Sequence, residues 1–265
     1  MQAGLFRGRR VVLHRTNVYG VHINCNAWQN AAWRRKRGGP NLIAVSTLAA
    51  VLFDIDGTLV DSNYVHVAAW SRALAELGEP VDSWRIHRAI GMGASKLLDA
   101  LLNERAEELG EQAKTLHQRY FLEAAPQLRA FGGARELVRA LSGRDLHVVL
   151  ATSAPDDELR VLRKVLQVGD AEAPATSASD VASAKPEPDI VEAALEKAQA
   201  SASAAIMVGD TVWDVESAAR ARVRCIAVCS GGTGALELRD AGAVAVYDDA
   251  ADLLAHLGAS LLAGS

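Results

Sequence analysis

Two aspartates, Asp54 and Asp56, follow a short apolar run. Their spacing of two places both side chains on the same side of an extended strand. Gly57 then permits a tight turn, and Thr58 can cap the segment that follows. Two crowded carboxylates repel each other and need a cation or a shared proton between them. The pair indicates either a cation-dependent acid site or, more simply, a strand-ending turn with solvated acids.

Four further side chains extend this chemistry along the chain: Thr152, Lys185, Asp210 and Asp214. Taken alone, each has an ordinary structural interpretation, as a helix cap, a surface charge or an acid at a helix N-terminus. Taken together with the first pair, they suit phosphoryl transfer. One aspartate can attack phosphorus and form an aspartyl phosphate, while a second protonates the leaving oxygen and then activates water. A Mg²⁺ ion and a lysine can cancel the repulsion between the nucleophile and an anionic phosphate.

The apolar pattern predicts the elements that position these residues. Short apolar runs, typical of buried parallel strands, recur as LAAVLFDID, LHVVLATS, AAIMVGD and CIAVCSG. Helical patterns separate them, at residues 134–143, 156–166, 188–198 and 214–223. Alternating strands and helices indicate an α/β fold with a Rossmann-like parallel sheet, whose ligand site lies at the carboxyl ends of the strands. Asp54, Thr152 and Asp210 each stand at such an end.

A long interval without strand signals follows the first strand. Helical patterns fill it, at residues 63–78, 95–110 and 111–124. We therefore expect an inserted α-helical cap domain over residues 63–129, placed to cover the site. The core domain then comprises residues 48–62 and 130–265.

Residues 1–47 precede this pattern and show neither helical nor strand periodicity. We interpret them as a basic, disordered N-terminal extension, or as upstream sequence included by a wrong start codon. An export signal at Arg9 and Arg10 is disfavoured because no clean apolar segment follows them. A nucleic-acid or membrane-surface arm built on residues 33–37, WRRKR, is the remaining alternative.

Composition excludes several classes of protein. The chain has 265 residues, 50% hydrophobic and 23% charged, which is typical of soluble globular proteins. No apolar run approaches the ~18 residues of a membrane-spanning helix, which excludes an integral membrane protein. Three cysteines, none in a CxxC pair, argue against a disulfide scaffold and favour the cytoplasm. Residues 1–50 hold eight bases and no acid, so the remainder has 20 bases against 32 acids, a balance that disfavours nucleic acid as a partner.

Four stretches resemble the motifs of the haloacid dehalogenase (HAD) superfamily. They are FDIDGTLVDS at 53–62, ATS at 151–153, KPEPD at 185–189 and GDTVWD at 209–214. They occur in the order and spacing of that family, and the resemblance covers about residues 48–255 of the chain. Four ordered motifs are far more specific than any one of them.

The resemblance implies catalytic roles by position. Asp54 would be the nucleophile and Asp56 the general acid and base. Thr152 and Ser153 would bind the phosphoryl group, while Lys185 would neutralise both nucleophile and phosphate. The dehalogenases proper lack the second aspartate of the first motif, so its presence favours phosphoester hydrolysis over dehalogenation.

The resemblance also implies Mg²⁺ as the cofactor. Its ligands would be the carboxylates of Asp54 and Asp210 together with the backbone carbonyl of Asp56. Asp214 would support the metal site from outside the set of direct ligands.

The helical insertion resembles the cap of the phosphoglycolate phosphatase and β-phosphoglucomutase branch. His66 and Trp70 lie four apart on one predicted helix face, and the mutases have a similar pair, which implies that His66 binds substrate. The alternative is simple packing within the cap. In the mutases a cap loop carries a basic pair that grips a second phosphate, but the aligned positions here are Ile90 and Ala94. Lys96 would either replace that grip or be a solvated helix lysine.

We therefore predict a cytoplasmic, Mg²⁺-dependent HAD phosphatase that hydrolyses a small phosphomonoester through an aspartyl phosphate. Its partner is a small phosphorylated metabolite, with no nucleic acid and no membrane. The alternatives are a β-phosphoglucomutase-like phosphomutase and a HAD-fold protein that binds without turnover. The last is disfavoured because no motif residue is missing. The sequence indicates neither the physiological substrate nor the oligomeric state.

Overall fold

The computed structural model describes residues 47–180 and 183–263. The predicted N-terminal extension therefore lies outside the described residues, apart from Thr47. The strands within the described ranges are β1 (Ala50–Phe53), β2 (Val60–Asp61), β3 (Arg129–Ala130), β4 (His147–Leu150), β5 (Ala205–Gly209), β6 (Arg224–Val228) and β7 (Ala245–Tyr247). The α-helices are α1 (Asn63–Glu76), α2 (Ser83–Ala89), α3 (Ala94–Leu102), α4 (Arg105–Ala124), α5 (Ala134–Ser142), α6 (Asp156–Leu166), α7 (Asp189–Ala198), α8 (Val212–Arg220), α9 (Ala235–Ala241) and α10 (Ala250–Ala255). Single turns of 3₁₀ helix lie at Ala125–Gln127, Ala178–Asp180, Ala202–Ala204 and Leu257–Ala259.

A parallel sheet forms the centre of the molecule, in the order β4–β1–β5–β6–β7. Strand β1 lies between β4 and β5, and its last residue, Phe53, is level with Leu150 and Val208. Every residue of β1 is buried, as expected for a parallel sheet covered on both faces. The predicted α/β fold with a Rossmann-like parallel sheet is thereby confirmed.

Alternate residues of β1 enter two different apolar cores. Val51 and Phe53 pack into one core with α5, α6 and α10, whereas Ala50 and Leu52 pack into the other with α7 and α8. This division follows from the alternation of side chains along a strand. Burial of each large apolar side chain contributes about 1.5–3 kcal/mol to the free energy of folding. The two cores together therefore hold the ends of neighbouring strands in fixed positions relative to one another.

Helices α1 to α4 form a separate layer above the sheet edge, between β2 and β3. These two short strands pair antiparallel, so the chain leaves and re-enters the sheet region at adjacent points. Helix α1 packs along α4, and the layer has an apolar cluster of its own, which includes Trp70, Leu74, Ile86, Leu97 and Leu98. These observations support our proposal that residues 63–129 are a cap domain inserted into a core of residues 48–62 and 130–265.

The helix boundaries in this layer differ from the sequence prediction. Residues 95–110 do not form one helix, because the backbone leaves the helical conformation at Asn103, with φ 51° and ψ −125°, and this residue separates α3 from α4. Helix α4 then continues through the buried Gly110 into the stretch that was predicted as a further helix. Helix α2 and the edge strand β7 were not predicted, since both are short and lack a long periodic pattern. None of the described helices is long and apolar enough to span a lipid bilayer.

Candidate active site

The carboxyl ends of three neighbouring strands bring the predicted acids and hydroxyl together. Asp54 directly follows β1, Thr152 follows β4 by two residues, and Asp210 directly follows β5. Because β1 is in level register with both neighbours, these residues meet at one edge of the sheet. Lys185 reaches the same place from the loop before α7, and Asp214 from the first turn of α8.

Lys185 is the charge centre of this group. Its buried ammonium contacts Asp54 Oδ1 and lies 2.6 Å from Asp214 Oδ1. Burial raises the pKa of Asp54 to about 7, with the neighbouring carboxylates adding to the rise and Lys185 opposing it. Burial alone would lower the pKa of Lys185, but the carboxylates of Asp214 and Asp54 raise it overall, so this lysine remains a cation.

A capping box orients Asp214. The Thr211 backbone N–H donates to Asp214 Oδ2 at 3.0 Å, and the Thr211 hydroxyl donates to the same oxygen at 2.6 Å. The Asp214 backbone N–H in turn donates to Thr211 Oγ1 at 3.3 Å. Asp214 Oδ2 therefore caps the N-terminus of helix α8, and Oδ1 remains directed at Lys185.

Asp210 is fully buried and is held by two side chains of the first motif region. Thr58 Oγ1 donates to Oδ1 at 2.9 Å, and Asn63 Nδ2 donates to Oδ2 at 2.9 Å. Burial, reinforced by the carboxylates of Asp214 and Asp54, raises the pKa of Asp210 well above its usual range. Gly231 approaches so closely that a Cβ there would lie 1.6 Å from Asp210 Oδ2.

These three carboxylates fit a divalent cation. Asp54, Asp210 and Asp214 each offer one oxygen, and the three oxygens lie within 4.8 Å of one another. Hard cations such as Mg²⁺ prefer oxygen ligands of this kind. Three buried carboxylates face one ammonium, that of Lys185, so the lysine alone does not balance the charge of the ionised group. A divalent metal would do so.

Asp56, the second aspartate of the pair, has different hydrogen-bond partners from Asp54. Asp56 Oδ1 accepts a 2.5 Å hydrogen bond from the Ser62 hydroxyl and lies 3.2 Å from His66 Nε2. Burial would raise the pKa of Asp56, but His66 and the Ser62 hydrogen bond outweigh it and lower that pKa. Its carboxylate does not join the three that could hold a metal. The structure thus separates the two aspartates by environment, as different chemical roles require.

Thr152 is held in place by its own loop and by a residue that the sequence analysis missed. Its hydroxyl accepts from the backbone N–H of Ala154 at 3.0 Å, so the hydroxyl hydrogen stays available to a ligand. The Thr152 backbone N–H donates to Thr176 Oγ1 at 3.1 Å, and the Thr176 hydroxyl lies 3.0 Å from the Thr152 carbonyl oxygen. Thr176 lies outside every motif, so only the folded chain identifies it.

A cavity of about 350 Å³ lies between the sheet edge and the helical layer. From below it is lined by the predicted site residues Asp54, Asp56, Thr152, Ser153 and Lys185. From above, His66 and Trp70 line it together with Ile90, Met92, Ala94 and Leu97. His66 thus lines the cavity, and its assignment as a substrate-binding residue stays a prediction. Asp210 and Asp214 do not line the cavity.

Lys96 does not enter this cavity. Its ammonium lies 3.1 Å from Glu187 Oε1, which is also 2.9 Å from Arg220 Nη1. The interpretation of Lys96 as a substitute phosphate grip is not supported, because its charge is taken up by an ion pair between the helical layer and the core. Ile90 and Ala94, in contrast, do face the cavity, and both are apolar.

The comparisons with known proteins agree with this fold. The family model for haloacid dehalogenase-like hydrolases matches residues 48–222, and the chain belongs to this family. It is an enzyme of the phosphoric monoester hydrolase kind, as predicted.

Three known proteins show how far the similarity extends. A phosphoglycolate phosphatase from Rhodospirillum rubrum is 32% identical over 221 residues, which cover 79% of this chain and 90% of the relative. The crystal structure of a hydrolase from Pseudomonas syringae is 36% identical and superimposes with a TM-score of 0.77, over 80% of this chain and 98% of that one. A β-phosphoglucomutase from Clostridium difficile shares the fold, with 18% identity and a TM-score of 0.67 over 77% of this chain and 92% of that one.

Proposed function

We propose that this enzyme hydrolyses a small phosphomonoester through an aspartyl phosphate on Asp54. The observation that carries the proposal is the convergence of Asp54, Asp56, Thr152 and Lys185 on one cavity. A nucleophile, a separate acid and base, a hydroxyl donor and a buried cation are the groups that phosphoryl transfer needs.

In the first step, an Asp54 carboxylate oxygen attacks phosphorus while the bond from phosphorus to the ester oxygen breaks. Asp56 donates its proton to the departing oxygen, which leaves as an alcohol. Thr152, Ser153 and Lys185 hold the phosphoryl oxygens, and Lys185 offsets the repulsion between the nucleophile and the dianion.

In the second step, the Asp56 carboxylate takes a proton from water, and the water oxygen attacks phosphorus. The bond from Asp54 to phosphorus then breaks and releases inorganic phosphate. His66 and Ser62 stabilise the Asp56 carboxylate that forms when its proton is released in the first step, and Asp56 regains that proton from water in the second step.

We propose Mg²⁺ as the cofactor, held by Asp54, Asp210 and the backbone carbonyl of Asp56, with Asp214 supporting the site. When bound, Mg²⁺ neutralises charge on the nucleophile and the phosphoryl group. The chain's own contribution is to hold the oxygens close together, through the Thr58 and Asn63 hydrogen bonds to Asp210 and the capping box at Asp214.

We propose phosphoglycolate, or a monoester of similar size, as the substrate. The name and 32% identity of the Rhodospirillum rubrum relative support this choice. A phosphomutase must also hold a second phosphate under the cap, whereas Ile90 and Ala94 offer no charge there. Within the described residues, no arginine lines the cavity, and the cap lysine that does line it, Lys114, lies 2.7 Å from Glu111 Oε1. These features favour hydrolysis over transfer to a second hydroxyl.

Phosphate release from phosphoglycolate and a panel of small phosphomonoesters tests the proposal, with Mg²⁺ and with a chelator. We expect Mg²⁺-dependent release of inorganic phosphate, and intact-mass analysis after an acid quench should find one phosphate on Asp54. Asp145→Asn, an exposed aspartate before β4, is the matched control for Asp54→Asn. No turnover of any monoester would refute the proposal. A second assay follows β-glucose 1-phosphate, with a trace of its bisphosphate, by ³¹P NMR. Formation of glucose 6-phosphate faster than inorganic phosphate would indicate a mutase instead.

We also propose a cytoplasmic location. The support is the cysteine content: Cys225 and Cys229, the two cysteines among the described residues, are both free thiols.

A further inference from the structure

We infer that the contact between Gly93 and Ala184 fixes the height of the cavity roof, and so selects esters with a small leaving group. Residues 90–93, here called the roof loop, join α2 to α3, and all four line the cavity. This inference rests on the proposed function, because it assigns Gly93 and Ala184 a part in the choice of phosphomonoester. Both act as positioning residues, through the backbone of the roof loop.

The roof loop meets the core at two close approaches. A Cβ built on Gly91 would lie 2.7 Å from Thr211 Oγ1, and a Cβ built on Gly93 would lie 2.0 Å from Ala184 Cβ. Thr211 belongs to the capping box that orients Asp214, and Ala184 directly precedes Lys185. The loop that covers the cavity therefore packs against the two segments that hold the buried charges.

The two glycines of the roof loop are needed for different reasons. Gly91 has φ 94°, in the left-handed region that favours glycine. Gly93 has φ −66° and ψ 152°, a backbone conformation that any residue adopts. The backbone therefore does not require glycine at position 93, whereas the close approach to Ala184 does.

The core side of this contact is firmly held. The Ala184 carbonyl oxygen accepts from the backbone N–H of Glu187 at 3.1 Å. The backbone N–H of Ser183 donates to Asp189 Oδ2 at 2.9 Å, which ties the segment to α7. The next residue, Lys185, is buried between two carboxylates. Ala184 therefore has little freedom to move away from a larger neighbour.

The helical layer is held less firmly near the roof loop. Two ion pairs connect it to the core there, Arg88 with Glu237 and Lys96 with Glu187, and all four side chains are partly exposed. Exposed pairs of this kind contribute little to stability. Two hydrogen bonds to backbone carbonyl oxygens complete the connection. A side chain at Gly93 should therefore lift the roof loop and leave Lys185 in place.

The clash sets the size of this movement. The added Cβ and Ala184 Cβ must separate by roughly 1.5 Å to reach the ~3.5 Å of an ordinary carbon–carbon contact. The phosphoryl group, held by Thr152 and Lys185 in the proposed mechanism, would stay where it is. A small leaving group would then lose its contact with the roof loop, whereas a bulky one would gain room.

Gly93→Ala tests the contact, and the double variant Gly93→Ala/Ala184→Gly is its rescue. Without the Ala184 methyl group, the new Cβ lies 3.5 Å from the Cα of residue 184, which is an ordinary contact. A defect in capping α3 would not be rescued in this way. Gly234→Ala is the matched control, because Gly234 caps α9 with φ −72° and ψ 145° and a Cβ there meets nothing within 4 Å.

The kinetic readout compares phosphoglycolate with 1-naphthyl phosphate, whose leaving group is much larger. In Gly93→Ala, kcat/KM for phosphoglycolate should fall about a hundredfold, and kcat/KM for 1-naphthyl phosphate should fall by less than about tenfold. In the double variant, both values should return to within about threefold of the wild type. Equal losses for the two esters would mean that Lys185 had moved instead of the roof loop. That result, or a double variant no better than Gly93→Ala, would overturn the inference.

The indole resonance of Trp213 provides a readout that does not depend on turnover. Trp213 Nε1, on α8, donates to the backbone carbonyl oxygen of Arg88 at 3.3 Å, next to the roof loop. We expect the ¹H–¹⁵N signal of this indole, assigned with Trp213→Phe, to shift in Gly93→Ala and to return in the double variant. An unshifted signal would overturn the inference even in an active phosphatase. If the wild type hydrolyses no monoester but the signal shifts and returns as expected, the proposed function fails while the Gly93–Ala184 contact stands.

Discussion

Replacement of Lys185 by Met should destabilise the protein strongly, because it leaves two buried carboxylates without their common cation. The Lys185 side chain is 4% exposed, and it contacts Asp54 and Asp214, whose side chains are 10% and 1% exposed. At an effective dielectric constant of about 20, one charge pair at about 4 Å is worth about 4 kcal/mol. Two such pairs, less the several kcal/mol needed to bury the ammonium, leave a net loss of about 3–5 kcal/mol in the free energy of unfolding.

Chemical denaturation at pH 7.5 in the presence of a chelator measures this loss directly. We expect a corresponding fall of roughly 10 °C in Tm, and the loss should shrink when Mg²⁺ is added, because a divalent cation would replace the missing charge. Lys164→Met, at an exposed position on α6, is the matched control and should cost little. A loss below about 1 kcal/mol for Lys185→Met would refute the view that this lysine balances the buried carboxylates.

Three further predictions concern single residues. Asp54→Asn should remove essentially all phosphate release, because an amide is not a nucleophile, while the far-UV circular dichroism spectrum stays native. Activity near that of the wild type would mean that another residue is the nucleophile. Burial raises the pKa of Glu158 from 4.5 to about 7, so its contribution to stability is full below pH 4.5 and is lost as pH rises through 7. The free energy of unfolding of Glu158→Gln, relative to the wild type, should therefore rise by about 2–3 kcal/mol between pH 4.5 and pH 8, and a flat difference would contradict the assigned burial cost. Gly231→Ala should cut kcat about a hundredfold, because the new Cβ would displace Asp210. Gly234→Ala is the control and should leave kcat unchanged, because a Cβ at Gly234 meets nothing within 4 Å. Equal activities of the two variants would refute the crowding at Asp210.

The core of the site was predictable because its geometry follows from local pattern. Apolar runs locate the buried strands, and parallel strands present their carboxyl ends at one edge. Asp54, Thr152 and Asp210 each follow such a run, so their convergence did not depend on knowing how distant helices pack. Lys185 and Asp214 were predicted by motif resemblance, and the structure brings both within contact of the same group.

Tertiary packing decided what lies above that edge. The orientation of α4 over α1 brings His117 to His66 across 51 residues, and no periodicity in the sequence records that contact. The same packing directs Lys96 to Glu187 instead of into the cavity. The break at Asn103 was also missed, because a single residue with positive φ interrupts a helix without altering the apolar pattern on either side.

The sequence by itself therefore determined the class of fold, the carboxylates and lysine of the core and the chemistry that they suit, since each depends on backbone periodicity or on a local motif. Only the tertiary structure determined how Asp54 and Asp56 differ in environment, through Lys185 on one side and the His66 ring on the other. The reason is physical: burial and long-range pairing set the proton affinity of a carboxylate, and both arise only when distant segments pack together.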